Sequence, residues 1–266
     1  MGQGSIKSRS VFKTLHDTAP LRIEAAHGSS RRLVVSFTSV GTKRDQWPPR
    51  EFVGIASRDG KNHVICVTDI SRCWMNKPGM ARKVATVISD YILDNGITEV
   101  SAIGTSMGGY NALVLGKIIP FASIVAFAPQ YSVHPDILPQ EKRWWWFRKQ
   151  IENWPHKAIA KLPNPPARVF VFHGDTLDEK RHWTLFPEAS NMQHFVFSGA
   201  DHNFVKPMKE SGALAKIVNS AINDKPLRLR KLVGRLGGMT RTAYDGFEAA
   251  MMYFEGRRKL ARPVGF

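Results

Sequence analysis

Residues Thr98–Ile118 read TEVSAIGTSMGGYNALVLGKI, and the fold turns on how this stretch divides. Thr98–Ile103 is short and apolar and follows the helix-stopping pair Asn95-Gly96, so it reads as a strand. Met107 to Ile118 reads as a helix. Between them stands Gly104-Thr105-Ser106-Met107-Gly108-Gly109, a G-x-S-x-G-G sequence at a strand-to-helix junction. A serine hydroxyl is a poor nucleophile unless it is exposed beside a base. A sharp turn presents it at the carboxyl edge of a sheet, and the flanking glycines let the chain pass neighbours that would leave no room for Cβ atoms. The new helix aims its first N–H groups, that of Met107 among them, at charge developing on a substrate oxygen.

Working outward, Leu21–Ala26 and Leu33–Thr38 read as strands joined by a turn at Gly28-Ser29-Ser30, and His63–Thr68 as a third. Met80–Asp94 carries Val84, Val87, Ile88, Tyr91 and Ile92 at helical spacing. Downstream come strand Ala122–Phe127, an irregular segment Pro129–Pro166, strands Arg168–Phe172 and His194–Phe197, and a helix over Met208–Ile222. Short continuous apolar strands alternating with helices predict an α/β fold with a mostly parallel sheet covered on both faces. The expected organisation is an N-terminal extension over 1–20, one domain over 21–223 with a small insertion at about 129–166, and a basic, partly helical tail over 224–266. In that tail, Thr242–Leu260 places Ala243, Phe247, Ala250, Met251 and Phe254 on one helical face, which either packs back on the domain or meets a partner.

The strand–turn–helix around Ser106 and the order of elements over about 21–222 resemble the α/β-hydrolase family, of the serine esterase and lipase kind. The resemblance implies a central sheet with helices on both faces and a catalytic triad in the chain order nucleophile, acid, histidine. His202, in Gly199-Ala200-Asp201-His202-Asn203-Phe204 after the last core strand, has the position of the general base. Asp201 beside it reads as a loop-shaping residue. The acid should follow Arg168–Phe172, in His173-Gly174-Asp175-Thr176-Leu177-Asp178-Glu179. The commonest family spacing falls on Leu177, which leaves Asp178 as the expected acid and Asp175 as the alternative. The oxyanion hole is expected from the N–H of Met107 together with that of Ser39, or failing it Thr38, although the His-Gly pair of many members is missing there.

The insertion carries Trp144, Trp145, Trp146 and Phe147 among cations, and Thr42–Arg50 (TKRDQWPPR) is a second basic-aromatic loop. Four consecutive aromatics cannot share one helix face, so some should be exposed or packed under a cap, where rings and cations suit an acidic sugar or lipid ester. The 266 residues hold 38 Lys and Arg against 22 Asp and Glu, a net +16, and residues 225–266 alone have ten cations against three acids. Such a surplus suits nucleic acid, an anionic membrane or an acidic substrate. A hydrophobic fraction of 43% argues against disorder. Two cysteines, Cys66 and Cys73, without a CxxC argue against a disulfide scaffold or zinc ribbon. The first residues lack a secretory apolar core, and Ala112–Ala128 is too short and broken to span a membrane, so a cytoplasmic protein, peripheral to the membrane at most, is expected.

The reading is thus a serine hydrolase or acyltransferase on a small-molecule, glycan or lipid ester, needing no metal or organic cofactor. A catalytically silent fold used for binding is the second class, prompted by the acid spacing. A nucleic-acid-binding protein is the third, prompted by charge alone; no recognition element accompanies that charge, so no nucleic acid is expected. The basic tail is expected to meet an anionic membrane surface or partner.

Overall fold

The computed structural model describes residues 11–260, with side-chain burial through Met251. Apolar runs form nine strands: β1 Phe12–Thr18, β2 Leu21–Ala26, β3 Arg32–Phe37, β4 His63–Asp69, β5 Glu99–Thr105, β6 Ser123–Phe127, β7 Arg168–Gly174, β8 Met192–Phe197 and β9 Gly238–Thr240. They make one sheet in the order β1-β2-β4-β3-β5-β6-β7-β8-β9. From β4 to β8 every neighbouring pair is parallel, whereas β1/β2, β2/β4 and β8/β9 are antiparallel. The parallel strands are buried on both faces, which is why they read as unbroken apolar runs.

The helices are α1 Val53–Ser57, α2 Met80–Asp94, α3 Met107–Leu115, α4 Trp145–Arg148, α5 Leu177–Trp183, α6 Val205–Glu210, α7 Ala213–Ile222, α8 Pro226–Arg235 and α9 Arg241–Leu260. Successive strand residues serve opposite cores. Val35, Ile65 and Ala102 face α2 and α3, while Val34, Val64 and Ile103 face α1, α6, α7 and α8. All nine residues of α3 are buried, as expected of a helix with no polar face.

Several boundaries differ from the sequence reading. The helix expected over Met208–Ile222 is two, α6 and α7, because Gly212 is left-handed (φ 70°) and breaks the ladder. β1 lies within the expected N-terminal extension and β9 within the expected tail, so the sheet reaches beyond 21–223 at both ends. The expected apolar face of α9 is not its packing face: Ala243, Phe247, Ala250 and Met251 are exposed, and the helix docks instead through buried Tyr244, which meets Trp183, and through Glu248, which pairs with Lys180 of α5. The side chain of Phe254 and residues 1–10 and 261–266 lie outside what is described. In the 129–166 segment, Phe147 is buried and Trp144 half-buried, while Trp145 and Trp146 are exposed. Its fold is otherwise irregular, with α4 its one helix.

Gly108 is where the α3 side of the sheet closes. A Cβ there would sit 2.1 Å from the Phe37 carbonyl oxygen at the end of β3. Gly108→Ala must push α3 off the sheet, and the expected cost is about 1–3 kcal/mol or more, read as a lowered urea midpoint. An unchanged midpoint would contradict this account of the packing.

Candidate active site

Ser106 ends β5 and precedes α3 with φ 56° and ψ −123°, a conformation that L residues rarely adopt. Its backbone is held there by its own N–H donating to the Phe127 carbonyl (2.8 Å) and by its carbonyl accepting from Tyr110 N–H (3.0 Å). Gly104 has no room for a side chain, since a Cβ would lie 2.2 Å from the Gly108 carbonyl carbon. The turn therefore lifts the serine onto the carboxyl edge while the residues around it stay buried.

A second close approach brings the other loops together. A Cβ on Gly174 would lie 2.0 Å from the Ala200 carbonyl oxygen, and that carbonyl accepts the Asp175 N–H at 3.0 Å. The end of β7 and the loop after β8 are thus stitched together. Asp201 shapes that loop by accepting the Asn203 N–H at 2.8 Å. His202 then reaches Ser106, with Nε2 3.0 Å from Oγ.

The partner of the other ring nitrogen is Glu179: His202 Nδ1 lies 2.7 Å from its Oε1. Neither expected acid, Asp178 or Asp175, meets His202. The segment after Gly174 is the helix α5 rather than a loop, so consecutive side chains diverge by about 100° around its axis. Asp178 points outward and pairs with Arg181 at 2.8 Å, while Glu179 points inward and is buried. Asp175 accepts instead from the Tyr244 hydroxyl at 3.1 Å. Burial opposes charge on Glu179, but the hydrogen bond and charge of His202, the nearby His173 and a hydrogen bond from Arg143 outweigh it and hold the carboxyl down at about 2. An ionised carboxylate accepts only, so Nδ1 carries the ring proton and Nε2 is left to accept from the Ser106 hydroxyl.

The insertion contributes directly to this acid. Arg143 Nη1 donates to Glu179 at 2.9 Å, and its Nη2 and Nε donate to Glu141. Glu141 is buried, yet its hydrogen bonds from His182 and Arg143 hold its carboxyl down at about 2. The Trp144 ring lies over His202, with centroids 5.9 Å apart. Trp145 and Trp146 form an exposed edge-to-face pair, with the Lys149 ammonium at 4.5 and 4.1 Å from their rings and the Arg44 guanidinium 5.2 Å from Trp146.

Of the expected oxyanion donors, Met107 is the first residue of α3, and its N–H has no partner within the helix. Thr38 is excluded as the other, because its N–H donates to the Val67 carbonyl at 3.1 Å. Ser39 turns its hydroxyl to the Glu51 carboxylate, with Oγ 2.5 Å from Oε1. The loop beyond it is held by Arg72, fully buried, which donates to the carbonyls of Val40, Lys43, Arg44, Gln46 and Ile70. Gln130, just past β6, is a further polar contact of the nucleophile, with Nε2 2.7 Å from Ser106 Oγ. Glu179, Arg143, Arg72 and Gln130 carry no motif; their signal was position, since Glu179 and Gln130 both follow a strand at the carboxyl edge. Among the described residues no group of three or more His, Cys, Asp or Glu is placed to hold a metal ion.

These shifts set the acid sensitivity of the fold. Burial lowers His173 to about 4, so the folded state stays neutral there while the unfolded chain takes up a proton below pH 6.5; stability falls as pH drops through that window. Glu179 and Glu141, depressed to about 2 from 4.5, add stability that is complete above pH 4.5 and lost as pH falls toward 2. The melting temperature should therefore begin to decline below about pH 6.5 and fall again below pH 4.5. A melting temperature constant down to pH 4.5 would refute the histidine contribution. Arg143→Met, which strands two buried carboxylates, should cost up to about 3–5 kcal/mol at pH 7, measured by urea unfolding.

No protein-family model matches the sequence, and neither does any curated protein. Solved structures do match. The capsule O-acetyltransferase of Neisseria meningitidis serogroup A is similar at 12% identity and TM-score 0.52, over 75% of this chain and 92% of that one. A bacterial membrane phospholipase A is similar at 14% identity and TM-score 0.50, over 81% and 86%. The glycosylation-associated Gap123 complex of Streptococcus agalactiae is similar at 12% identity and TM-score 0.55, over 79% of this chain and 46% of that one. Likeness at such identities shows the fold alone: the chain has an α/β-hydrolase type of fold.

Proposed function

We propose that the protein is a serine hydrolase or acyltransferase whose triad is Ser106, His202 and Glu179. The observation that carries this reading is the continuous hydrogen-bonded chain from Ser106 Oγ through the His202 ring to Glu179, with spacings of 3.0 and 2.7 Å. In acylation, Ser106 Oγ attacks the ester carbonyl carbon as its proton passes to His202 Nε2. The carbonyl π electrons move to oxygen, which faces the N–H of Met107 at the start of α3. Collapse re-forms the carbonyl, breaks the bond to the leaving alkoxide, and returns the proton from Nε2 to it. A water or a second hydroxyl then repeats the sequence in reverse on the acyl-enzyme. Glu179 stays ionised throughout and stabilises the imidazolium.

Support for a substrate class comes from α4, which follows Trp144. Exposed Trp145 and Trp146 with Lys149 and Arg44 combine ring faces and positive charge, which suits an ester on an anionic saccharide or lipid. With Glu179 at the histidine, the acid spacing ceases to argue for a catalytically silent fold. Charge alone supports nucleic-acid binding. No helix among the described residues is long and apolar enough to cross a membrane.

Labelling by an alkyl fluorophosphonate, together with turnover of 4-nitrophenyl acetate, tests the reading. Wild-type protein should label, and Ser106→Ala and His202→Ala should not. Glu179→Gln should slow turnover by about 10²–10⁴-fold, whereas Asp178→Asn and Asp175→Asn should stay within a few fold. Folded protein that neither labels nor turns over ester overturns the proposal; a collapse on Asp178→Asn with Glu179→Gln unaffected would reassign the acid.

A further inference from the structure

Gln130 is 1% exposed and lies in the first irregular residues after β6, so nothing in its own sequence neighbourhood would mark it. Its side chain nevertheless spans two functional contacts. Gln130 Nε2 donates to Ser106 Oγ at 2.7 Å, and Gln130 Oε1 accepts from the Trp74 indole N–H at 3.2 Å. An indole nitrogen can only donate. The atom facing Trp74 must therefore be the amide oxygen, and the atom facing the nucleophile must be the NH₂. Chemistry fixes the orientation that an amide otherwise leaves open.

The molecule is built to keep it so. Trp74 is fully buried and sits in a turn where Arg72, Trp74 and Met75 all have positive φ (49°, 50° and 60°). Asp69 braces that turn, its Oδ1 accepting from Ser71 N–H and its Oδ2 from Cys73 N–H, both at 2.8 Å. On the other side, Ala128 is also left-handed (φ 43°). Two buried histidines outside the triad pin the peptides flanking Gln130: His173 donates to the Pro129 carbonyl at 2.9 Å, and His182 Nδ1 accepts the Tyr131 N–H at 3.1 Å. Strain of this kind persists only where surrounding contacts over-determine it, and it gathers at working sites.

Thr38, meanwhile, gives its N–H to the Val67 carbonyl, and Ser39 turns its hydroxyl to Glu51. Of the two backbone donors expected from that loop, Thr38 is thus engaged. We propose that Gln130 is a catalytic residue of this site, supplying from Nε2 a side-chain donor for the negative charge that develops at the reacting oxygens. It rests on the serine-enzyme reading. As the Ser106 O–H bond breaks and its proton moves to His202, the Gln130 N–H stabilises charge on Oγ. Once the Oγ–carbonyl bond forms and Oγ becomes a weak acceptor, the same N–H serves the new oxyanion alongside Met107.

The test is the fluorophosphonate labelling rate against pH, in which the Ser106 Oγ–phosphorus bond forms and fluoride leaves. Gln130→Met keeps the volume and removes the donor; labelling should slow by about 10²-fold or more. Gln130→Glu keeps the shape, and its rate should fall progressively as rising pH ionises the carboxyl, a limb that wild type lacks. Trp74→Phe leaves the amide free to turn and should slow labelling less than Gln130→Met. Gln130→Met labelling within about threefold of wild type overturns the proposal, set against the usual effect of deleting such a donor. A Gln130→Glu rate lowered equally at every pH marks a packing role and also overturns it; this profile decides the matter if Gln130→Met does not fold. Unlabelled wild type would instead defeat the serine-enzyme reading itself, with this proposal falling alongside.

Discussion

Everything at this site depends on one strained residue. Ser106 at φ 56° and ψ −123° carries a cost of about 1–3 kcal/mol, and the fold sustains it by contact on every side. The glycine at 104 accepts the backbone of Gly108, Gly108 accepts the Phe37 carbonyl, and the Ser106 N–H is anchored on β6. Relaxing the serine would mean separating α3 from β3 and β5, that is, opening the larger core. The buried apolar surface of an all-buried helix thereby holds a polar side chain in a conformation it would not choose.

A second constraint runs through buried charge. His202, Glu179, Arg143, Glu141 and His182 form one hydrogen-bonded chain, in which a single guanidinium serves two carboxylates. Placing Arg143 on the acid divides Glu179 between two donors at the same oxygen. That makes the chain of bonds sensitive to how the 129–166 segment is seated. Arg143, Trp144 and Gln130 all belong to that segment, so Glu179, His202 and Ser106 each have a partner there.

What the sequence displayed and what it hid follow from the range of the forces involved. The strand–turn–helix at Ser106 and the histidine after β8 are local patterns, where periodicity and glycine placement act over a few residues. The partner of His202 is hidden in the sequence because α5 does not announce itself: Leu177–Trp183 is seven residues long and carries Lys180 and Arg181 outward, with too little apolar period for a helix. In a loop, distance along the chain ranks Asp178 first; on a helix, angle decides, and it turns Glu179 toward the histidine. β1 and β9 were missed because three to seven residues of edge strand depend on the neighbour they pair with rather than on their own pattern. The apolar stripe of α9 misled for the opposite reason, since a convincing period says that a face exists and nothing about which surface covers it. Gln130 and Arg72 carry no motif: Gln130 meets Ser106 24 residues away, and four of the five carbonyls that Arg72 holds lie 26 or more residues away, through hydrogen bonds that no spacing encodes.

The +16 charge can now be divided by what the cations touch. Arg72 and Arg143 are internal fasteners, one to backbone carbonyls and the other to buried carboxylates, and neither offers charge to an approaching molecule. Lys180 and Arg241 tie α9 to the helix that bears Glu179 and to the loop after it. Arg44 and Lys149 differ from these in facing exposed tryptophan rings. Position therefore matters more than sum: a net charge sets only a long-range field, while what each cation touches sets its local work.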